Sequence, residues 1–133
     1  MKRTVLVIEH DRAIADVIRV KLALDGWDLI ETRSADEGLR LGRPAHPDLV
    51  IVDLHFVGND GERFLREWGA DRPAFLFVGR KPNGNVLNRL AEQPGVAVMT
   101  KPFRLRDLSR AAQELASGWH VRQDWTEEER IAQ

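Results

Sequence analysis

Cysteine is absent from the 133-residue chain. Its absence excludes disulfides, thiolate nucleophiles and cysteine-based zinc sites, and it suits a reducing cytoplasm. A basic excess is also absent, since 20 Lys and Arg residues are matched by 21 Asp and Glu residues and the formal net charge is −1. Binding to nucleic acid through bulk positive charge is therefore not expected.

Long apolar runs are missing as well, because the longest one covers only residues 74–78. Such a run is too short for a membrane span or for the apolar segment of a signal peptide. The composition, 43% hydrophobic and 31% charged, is typical of a soluble globular protein with a sizeable core. Length and composition together predict one cytoplasmic domain that makes no membrane contact.

Five short apolar runs have the length of strands, and three of them are nearly continuous in Val, Ile, Leu or Phe. Continuous runs are typical of strands that are buried on both faces of a parallel sheet. A segment with helical spacing of apolar residues follows each run. The runs cover residues 4–8, 27–30, 49–52, 74–78 and 96–99. This alternation predicts an α/β fold, a flavodoxin-like (βα)5 doubly wound sandwich whose five parallel strands have the order 2-1-3-4-5.

The predicted domain covers residues 1–117, and a C-terminal tail covers residues 118–133. In the tail, Thr126 and a glutamate three residues later form a capping box, which favours a short helical turn from about residue 126. So short a helix is marginal by itself. Trp119 and Trp125 carry a large apolar area in a polar stretch, so we expect at least one of them to pack on the domain or on a second copy.

Charged residues stand at the carboxyl ends of the predicted strands. Glu9 and Asp11 follow the first strand, Asp53 follows the third, and Lys101 follows the fifth. In open parallel sheets the functional crevice lies at these ends. Convergent carboxylates are ligands for hard cations, and a lysine beside them can pair with a carboxylate or with a phosphoryl group placed on it. For a lone Asp and Lys, a plain ion pair at an acidic rim is the alternative.

Three motifs resemble the receiver domain of bacterial two-component response regulators. They are Val-Leu-Val-Ile-Glu-His-Asp over residues 5–11, Pro-Asp-Leu-Val-Ile-Val-Asp-Leu over residues 47–54 with an Asp-Gly pair at residues 60–61, and Met-Thr-Lys-Pro-Phe over residues 99–103. The likeness extends from residue 3 to about residue 117, which is most of the chain.

The resemblance implies that Asp53 accepts a phosphoryl group from a histidine kinase or a small phosphodonor. It also implies that Mg²⁺ is held by Asp53, by the acidic residues Glu9 and Asp11, and by the main-chain carbonyl of His55. Lys101 is then expected to contact the phosphoryl group, and the peptide bond that follows it is expected to be cis.

Four positions depart from the family pattern. His10 stands at the second acidic position, Gly79 where a Thr or Ser follows the fourth strand, Val98 at the aromatic switch position, and Val57 where a proline is usual. One carboxylate about 4 Å from a dication contributes roughly 8 kcal/mol gross at an effective dielectric of about 20. Imidazole is a poor Mg²⁺ ligand, so His10 should weaken Mg²⁺ binding. Gly79 lacks the hydroxyl that donates to a phosphoryl oxygen. In the family, the Thr or Ser at this position and the aromatic residue at the position of Val98 together couple phosphorylation to a conformational change at the surface, and this chain lacks both.

The leading prediction is a receiver-type signalling switch or adaptor, not an enzyme, with impaired phosphorylation at Asp53. One alternative is a competent phosphoacceptor that a histidine kinase phosphorylates on the same residue. Another is a small-ligand or transition-metal site in which His10, His55, Glu9 and Asp53 supply nitrogen and oxygen ligands. Two loop histidines that bind no metal are the plainer interpretation of that last pattern. A nucleotide or flavin site is not expected, since no glycine-rich phosphate loop occurs.

The partners implied by the resemblance are a histidine kinase, a phosphotransfer protein or another signalling protein. The family commonly uses the face formed by the fourth helix, the fifth strand and the fifth helix. Charged residues of both signs stand there: Lys81, Arg89, Arg104, Arg106, Arg110, Glu92, Asp107 and Glu114. This face could support a homodimer through self-complementary ion pairs, although a simply solvated surface is the plainer alternative.

Overall fold

The computed structural model of the chain describes residues 2–57, 60–80 and 84–118. Five strands and six helices lie in this part. In chain order they are β1 (Thr4–Ile8), α1 (Arg12–Leu24), β2 (Asp28–Thr32), α2 (Ala35–Ala45), β3 (Leu49–Asp53), α3 (Leu54–Val57), α4 (Gly61–Trp68), β4 (Ala74–Gly79), α5 (Gly84–Glu92), β5 (Val96–Thr100) and α6 (Leu105–Ala116).

The strands form one sheet in the order β2-β1-β3-β4-β5, and every neighbouring pair is parallel. The predicted fold class and strand order are therefore confirmed. The register pairs Asp53 with Val78 and Gly79 with Thr100. The ends of the three strands β3, β4 and β5 thus lie side by side at one edge of the sheet, where the functional crevice was predicted.

Two apolar layers cover the two faces of the sheet. Val7 and Ile51 belong to the layer that packs against α1 and α6, where Ile18 and Leu108 are fully buried. The residues on either side of them in β1 and β3, such as Ile8 and Val52, belong to the other layer, which packs against α2, α4 and α5. Alternate residues of a strand point to opposite faces, so a strand covered on both sides needs a continuous apolar run.

Side-chain caps begin three of the helices. The Asp11 carboxylate accepts main-chain N–H groups at the start of α1, the Ser34 hydroxyl does so at the start of α2, and the Asp60 carboxylate does so at the start of α4. Each cap satisfies donors that the first helical turn leaves without a partner. Asp11 is therefore engaged in a structural role beside the crevice.

Helix α3 was not predicted, because its four residues are too few to show a helical spacing of apolar residues. The turn forms directly after β3, where the main-chain N–H of His55 donates to Asp53 Oδ1 at 2.9 Å. Val57 ends this helix and packs against the apolar layer on the α4 side of the sheet.

The buried face of α1 is narrow. Ile18 and Leu22 are fully buried, whereas Val17, Val20 and Leu24 expose 46%, 53% and 80% of their surface. Val17 fits the helical spacing of the apolar residues in α1, but the structure places it at the rim.

Helix α6 ends at Ala116, and Gly118 adopts a φ of 80°, a left-handed conformation that favours glycine. The predicted helical turn at Thr126 and the predicted packing of Trp119 and Trp125 lie outside the described residues. Within the described ranges, no helix is long and apolar enough to cross a membrane.

Candidate functional site

One lysine joins two buried carboxylates at the edge of the sheet. Lys101 Nζ donates to Glu9 Oε2 at 3.0 Å and to Asp53 Oδ2 at 3.3 Å. The predicted approach of Lys101 to Asp53 is confirmed, as is the cis peptide bond between Lys101 and Pro102. Glu9 and Asp53 expose only 3% and 2% of their surface. The ion pair is therefore an interior feature and not a solvated rim contact.

Both oxygens of Asp53 have partners. Oδ1 accepts the main-chain N–H of His55, and Oδ2 contacts His10 Nδ1 as well as Lys101 Nζ. Burial alone would raise the pKa of Asp53, but hydrogen bonds with Glu9, His55 and His10 and the charge of Lys101 outweigh burial and lower that pKa to about 2. The carboxylate is therefore ionised at neutral pH and fully engaged by its neighbours.

The same surroundings raise the pKa of Glu9, in contrast to that of Asp53. Burial raises the pKa of Glu9, and the hydrogen bond with Asp53 raises it further, against the lowering effect of Lys101. Glu9 Oε2 accepts the main-chain N–H of Asp11 at 3.0 Å. Glu9 Oε1 is buried without a hydrogen-bond partner, although Lys101 Nζ lies 2.9 Å from it.

Two histidine rings stack at the mouth of the site. The ring centroids of His10 and His55 are 4.0 Å apart and the planes differ by 17°. Phe56 meets both rings edge-on, at 6.1 Å from His10 and 5.5 Å from His55. His10 Nδ1 also lies 3.4 Å from Glu9 Oε2. The imidazole at position 10 is thus held against the two carboxylates, with 44% of its side chain exposed.

The Asp11 carboxylate does not join this cluster. Among the described residues, the group whose ligand atoms lie within 4.8 Å of one another consists of Glu9, His10 and Asp53. Asp11 Oδ1 instead accepts N–H groups from Ala13 at 2.9 Å and Ile14 at 3.2 Å. A move of Asp11 towards a metal ion would break the N-terminal cap of α1.

Gly79 makes room for the segment that follows Asp53. A Cβ atom at position 79 would lie 2.8 Å from Leu54 Cβ, 3.2 Å from its Cδ1 and 3.3 Å from its Cγ. From the sequence, Gly79 is predicted only to remove a hydroxyl donor. The structure shows a second reason for glycine here, since any larger residue requires Leu54 to shift. Val98 packs at the border of the same apolar layer as Leu54.

We expect Gly79→Ala to lower the free energy of unfolding by about 1–3 kcal/mol, because the new methyl group overpacks the contact with Leu54. Leu54→Ala removes Cγ and Cδ1 but keeps Cβ, the nearest atom at 2.8 Å, so it relieves only part of the crowding. The double variant should therefore be more stable than the sum of the single effects by at least about 0.5 kcal/mol. Urea unfolding of the four proteins in the cycle measures this coupling, and strictly additive effects would contradict the steric interpretation.

The site opens into a crevice of about 1000 Å³. Polar walls come from His10, Asp53, Lys101 and Arg80, and apolar walls come from residues such as Ile14 and Phe103. The candidate site is therefore accessible from solvent even though its two carboxylates are buried.

No family model matches the chain. Its sequence is 30% identical over 107 residues to the KDP operon transcriptional regulatory protein KdpE of Escherichia coli (strain K12), a match that covers 78% of this chain and 47% of that protein. The chain thus spans about half the length of this curated relative.

Solved structures agree with the sequence match. A response regulator receiver domain protein from Clostridium thermocellum is 28% identical, with a TM-score of 0.70 over 86% of this chain and 94% of that one. A response regulator from Thermotoga maritima, 23% identical, has a TM-score of 0.73 over 88% of this chain and 99% of that one. The likeness to the Clostridium thermocellum protein extends to sequence and fold, whereas the likeness to the Thermotoga maritima protein concerns the fold alone.

Proposed function

Since this chain belongs to the response-regulator receiver domains, we propose that it acts as a two-component signalling switch or adaptor with impaired Mg²⁺-dependent phosphorylation at Asp53. In this role it works by protein contact and not as an enzyme. Receiver domains interact with histidine kinases and phosphotransfer proteins, and we propose partners of this kind in the cytoplasm.

The observation that supports impaired phosphorylation is the contact between His10 and Asp53. Phosphoryl transfer requires an oxygen of the acceptor carboxylate to approach phosphorus in line with the leaving group. Here His10 and Lys101 both contact Oδ2, and the main-chain N–H of His55 contacts Oδ1. These partners stabilise the carboxylate before it attacks, which adds to the barrier.

The donor set at this site fits Mg²⁺ poorly. Mg²⁺ requires near-ideal octahedral coordination and prefers oxygen ligands, whereas the cluster offers two carboxylates and one imidazole nitrogen. Lys101 already pairs with both carboxylates, and Asp11 caps α1. We therefore propose at most weak Mg²⁺ binding through Glu9 and Asp53, and a role for Asp11 or the His55 carbonyl remains a prediction from the family resemblance.

Intact-mass spectrometry after incubation with a small phosphodonor and Mg²⁺ tests this proposal. We expect the unmodified chain to gain phosphoryl mass only slightly faster than the matched control Asp53→Asn, because partners stabilise the acceptor carboxylate and no hydroxyl stands at position 79. Rapid labelling of the unmodified chain that disappears in Asp53→Asn would instead support the alternative of a competent phosphoacceptor.

We propose that the charged face formed by α5, β5 and α6 is a contact surface. Helices α5 and α6 are the fourth and fifth predicted helices, because α3 was not predicted. Part of its charge is paired within the chain. Arg89 Nε donates to Glu62 at 2.9 Å, and Arg110 lies 4.0 Å from Asp107, while Lys81 lies outside the described residues. Exposed pairs of this kind contribute little energy, so a homodimer would need further contacts beyond ion pairing.

A further inference from the structure

We propose that an exposed apolar face of α1 is the docking surface for the C-terminal segment of the same chain, residues 119–133, which covers it with Trp119 and Trp125. The segment itself lies outside the described residues, and the argument for its docking comes from α1 and from the place where the chain leaves α6. The proposal does not depend on the signalling role, because docking can be measured without phosphorylation.

The apolar face of α1 consists of Val17, Val20 and Leu24, all of which are exposed. Spacings of three and four residues place these side chains on one side of the helix. Ile18 and Leu22 provide the contact with the core, so the face is a second apolar stripe that the packing of α1 does not use. Single exposed apolar residues are ordinary on a protein surface, whereas a contiguous stripe is typical of a contact surface. The face also reaches the crevice, because Val17 lines its wall.

The chain leaves α6 at the end of the sheet where α1 also ends. Arg3 Nη2 donates to Ser117 Oγ at 3.4 Å, and the main-chain carbonyl of Arg3 accepts the N–H of Asp28 at 2.9 Å. Asp28 begins β2 just after the turn that follows Leu24, the last residue of α1. Helices α1 and α6 pack on the same face of the sheet. The segment after residue 118 therefore starts close to the apolar face of α1.

The length of the segment is sufficient for docking. From Leu24 to Val17 the face extends about 10 Å along the helix axis. The chain from Gly118 to Trp125 can span up to about 25 Å when extended. A segment attached this closely has an effective concentration in the millimolar range, which favours it over a second copy of the chain in dilute solution.

The charges of α1 and of the segment are complementary. Helix α1 carries three basic side chains and one acidic side chain, whereas residues 119–133 contain four acidic and two basic residues. Arg19 already pairs with Asp16 at 2.8 Å, but both are exposed, and such a pair contributes little energy and can exchange partners. Two copies of α1 would carry net charge of the same sign, which disfavours a homodimer through this face.

Fluorine NMR of the full chain labelled with 5-fluorotryptophan tests the proposal. Trp119→Phe and Trp125→Phe assign the two signals, and a soluble paramagnetic reagent broadens the signals of exposed rings. We expect both signals to be protected in the unmodified chain. The double variant Val20→Gln/Leu24→Gln should lower the docking equilibrium constant at least about tenfold, because each buried CH₂ group is worth a factor of about four. Leu41→Gln is the matched control, since Leu41 is exposed on α2 at the other face of the sheet, and it should leave the protection unchanged.

The buried rings of Trp27 and Trp68 provide the reference for full protection in the same spectra, and they also verify that each variant is folded. Sedimentation velocity at the NMR concentration distinguishes the segment from a second copy, and we expect a monomer. The proposal is overturned if both signals of the segment broaden freely in the unmodified chain. It is also overturned if Val20→Gln/Leu24→Gln keeps the protection as well as Leu41→Gln does, or if the protection belongs to a dimer that Val20→Gln/Leu24→Gln dissociates.

Discussion

Phosphorylation of Asp53 should rise by about 100-fold when His10→Asp, Gly79→Thr and Leu54→Ala are combined. The aspartate supplies a hard oxygen ligand and removes the ring from Asp53 Oδ2. The threonine supplies a hydroxyl donor, and a single donor to a transition-state oxygen is worth about 10²–10³ in rate. The alanine removes the Leu54 Cγ and Cδ1 atoms and so relieves part of the crowding around the new side chain. Intact-mass measurement of the labelling rate with a small phosphodonor and Mg²⁺ gives the comparison.

Two controls separate the contributions in this experiment. The double variant His10→Asp/Gly79→Thr keeps Leu54, so the crowded threonine should displace the segment beside Asp53 and give a smaller increase than the triple variant. His10→Asp alone needs no additional space, and it tests the metal ligand even if the triple variant is poorly folded. Equal labelling rates for the unmodified chain, His10→Asp and the triple variant would show that positions 10 and 79 do not limit the reaction.

Lys101→Met should lower the free energy of unfolding by about 3 kcal/mol. The substitution removes the ammonium from two buried carboxylates, and a buried ion pair that loses one partner costs about 3–5 kcal/mol. Methionine keeps most of the length of the side chain, so the loss of charge dominates over the loss of packing. Urea unfolding monitored by circular dichroism measures the change.

Lys2→Met is the matched control for this prediction. Lys2 pairs with Asp28 at 3.4 Å, and both side chains are more than half exposed. Exposed ion pairs contribute about 0–1 kcal/mol, so this variant should be nearly as stable as the unmodified chain. If Lys101→Met costs no more than Lys2→Met, the crevice lysine does not compensate buried charge.

Much of the site could be located from the sequence, because its position depends on where strands end. Glu9, Asp53 and Lys101 follow apolar runs of strand length, and parallel strands bring their carboxyl ends to one edge. The position of Asp11 before a helical segment is also a local signal for an N-terminal cap. Asp11 was predicted only as a metal ligand, and its capping role was missed.

The sequence by itself determined the order of the five strands and their flanking helices, except for α3, together with the parallel topology and the charged residues at the crevice. These features depend on local periodicity and on the continuous burial of strands such as β3, in which every residue is buried. Neither property requires knowledge of a distant side chain.

Only the tertiary structure decided how the crevice residues contact one another. His10 and Asp53 are 43 positions apart, yet the imidazole lies on the carboxylate and stacks on His55. Gly79 similarly serves the packing of Leu54, which belongs to the neighbouring strand connection. Such contacts depend on side-chain rotamers and on the spacing of adjacent strands, and no periodic pattern along the chain encodes either of them.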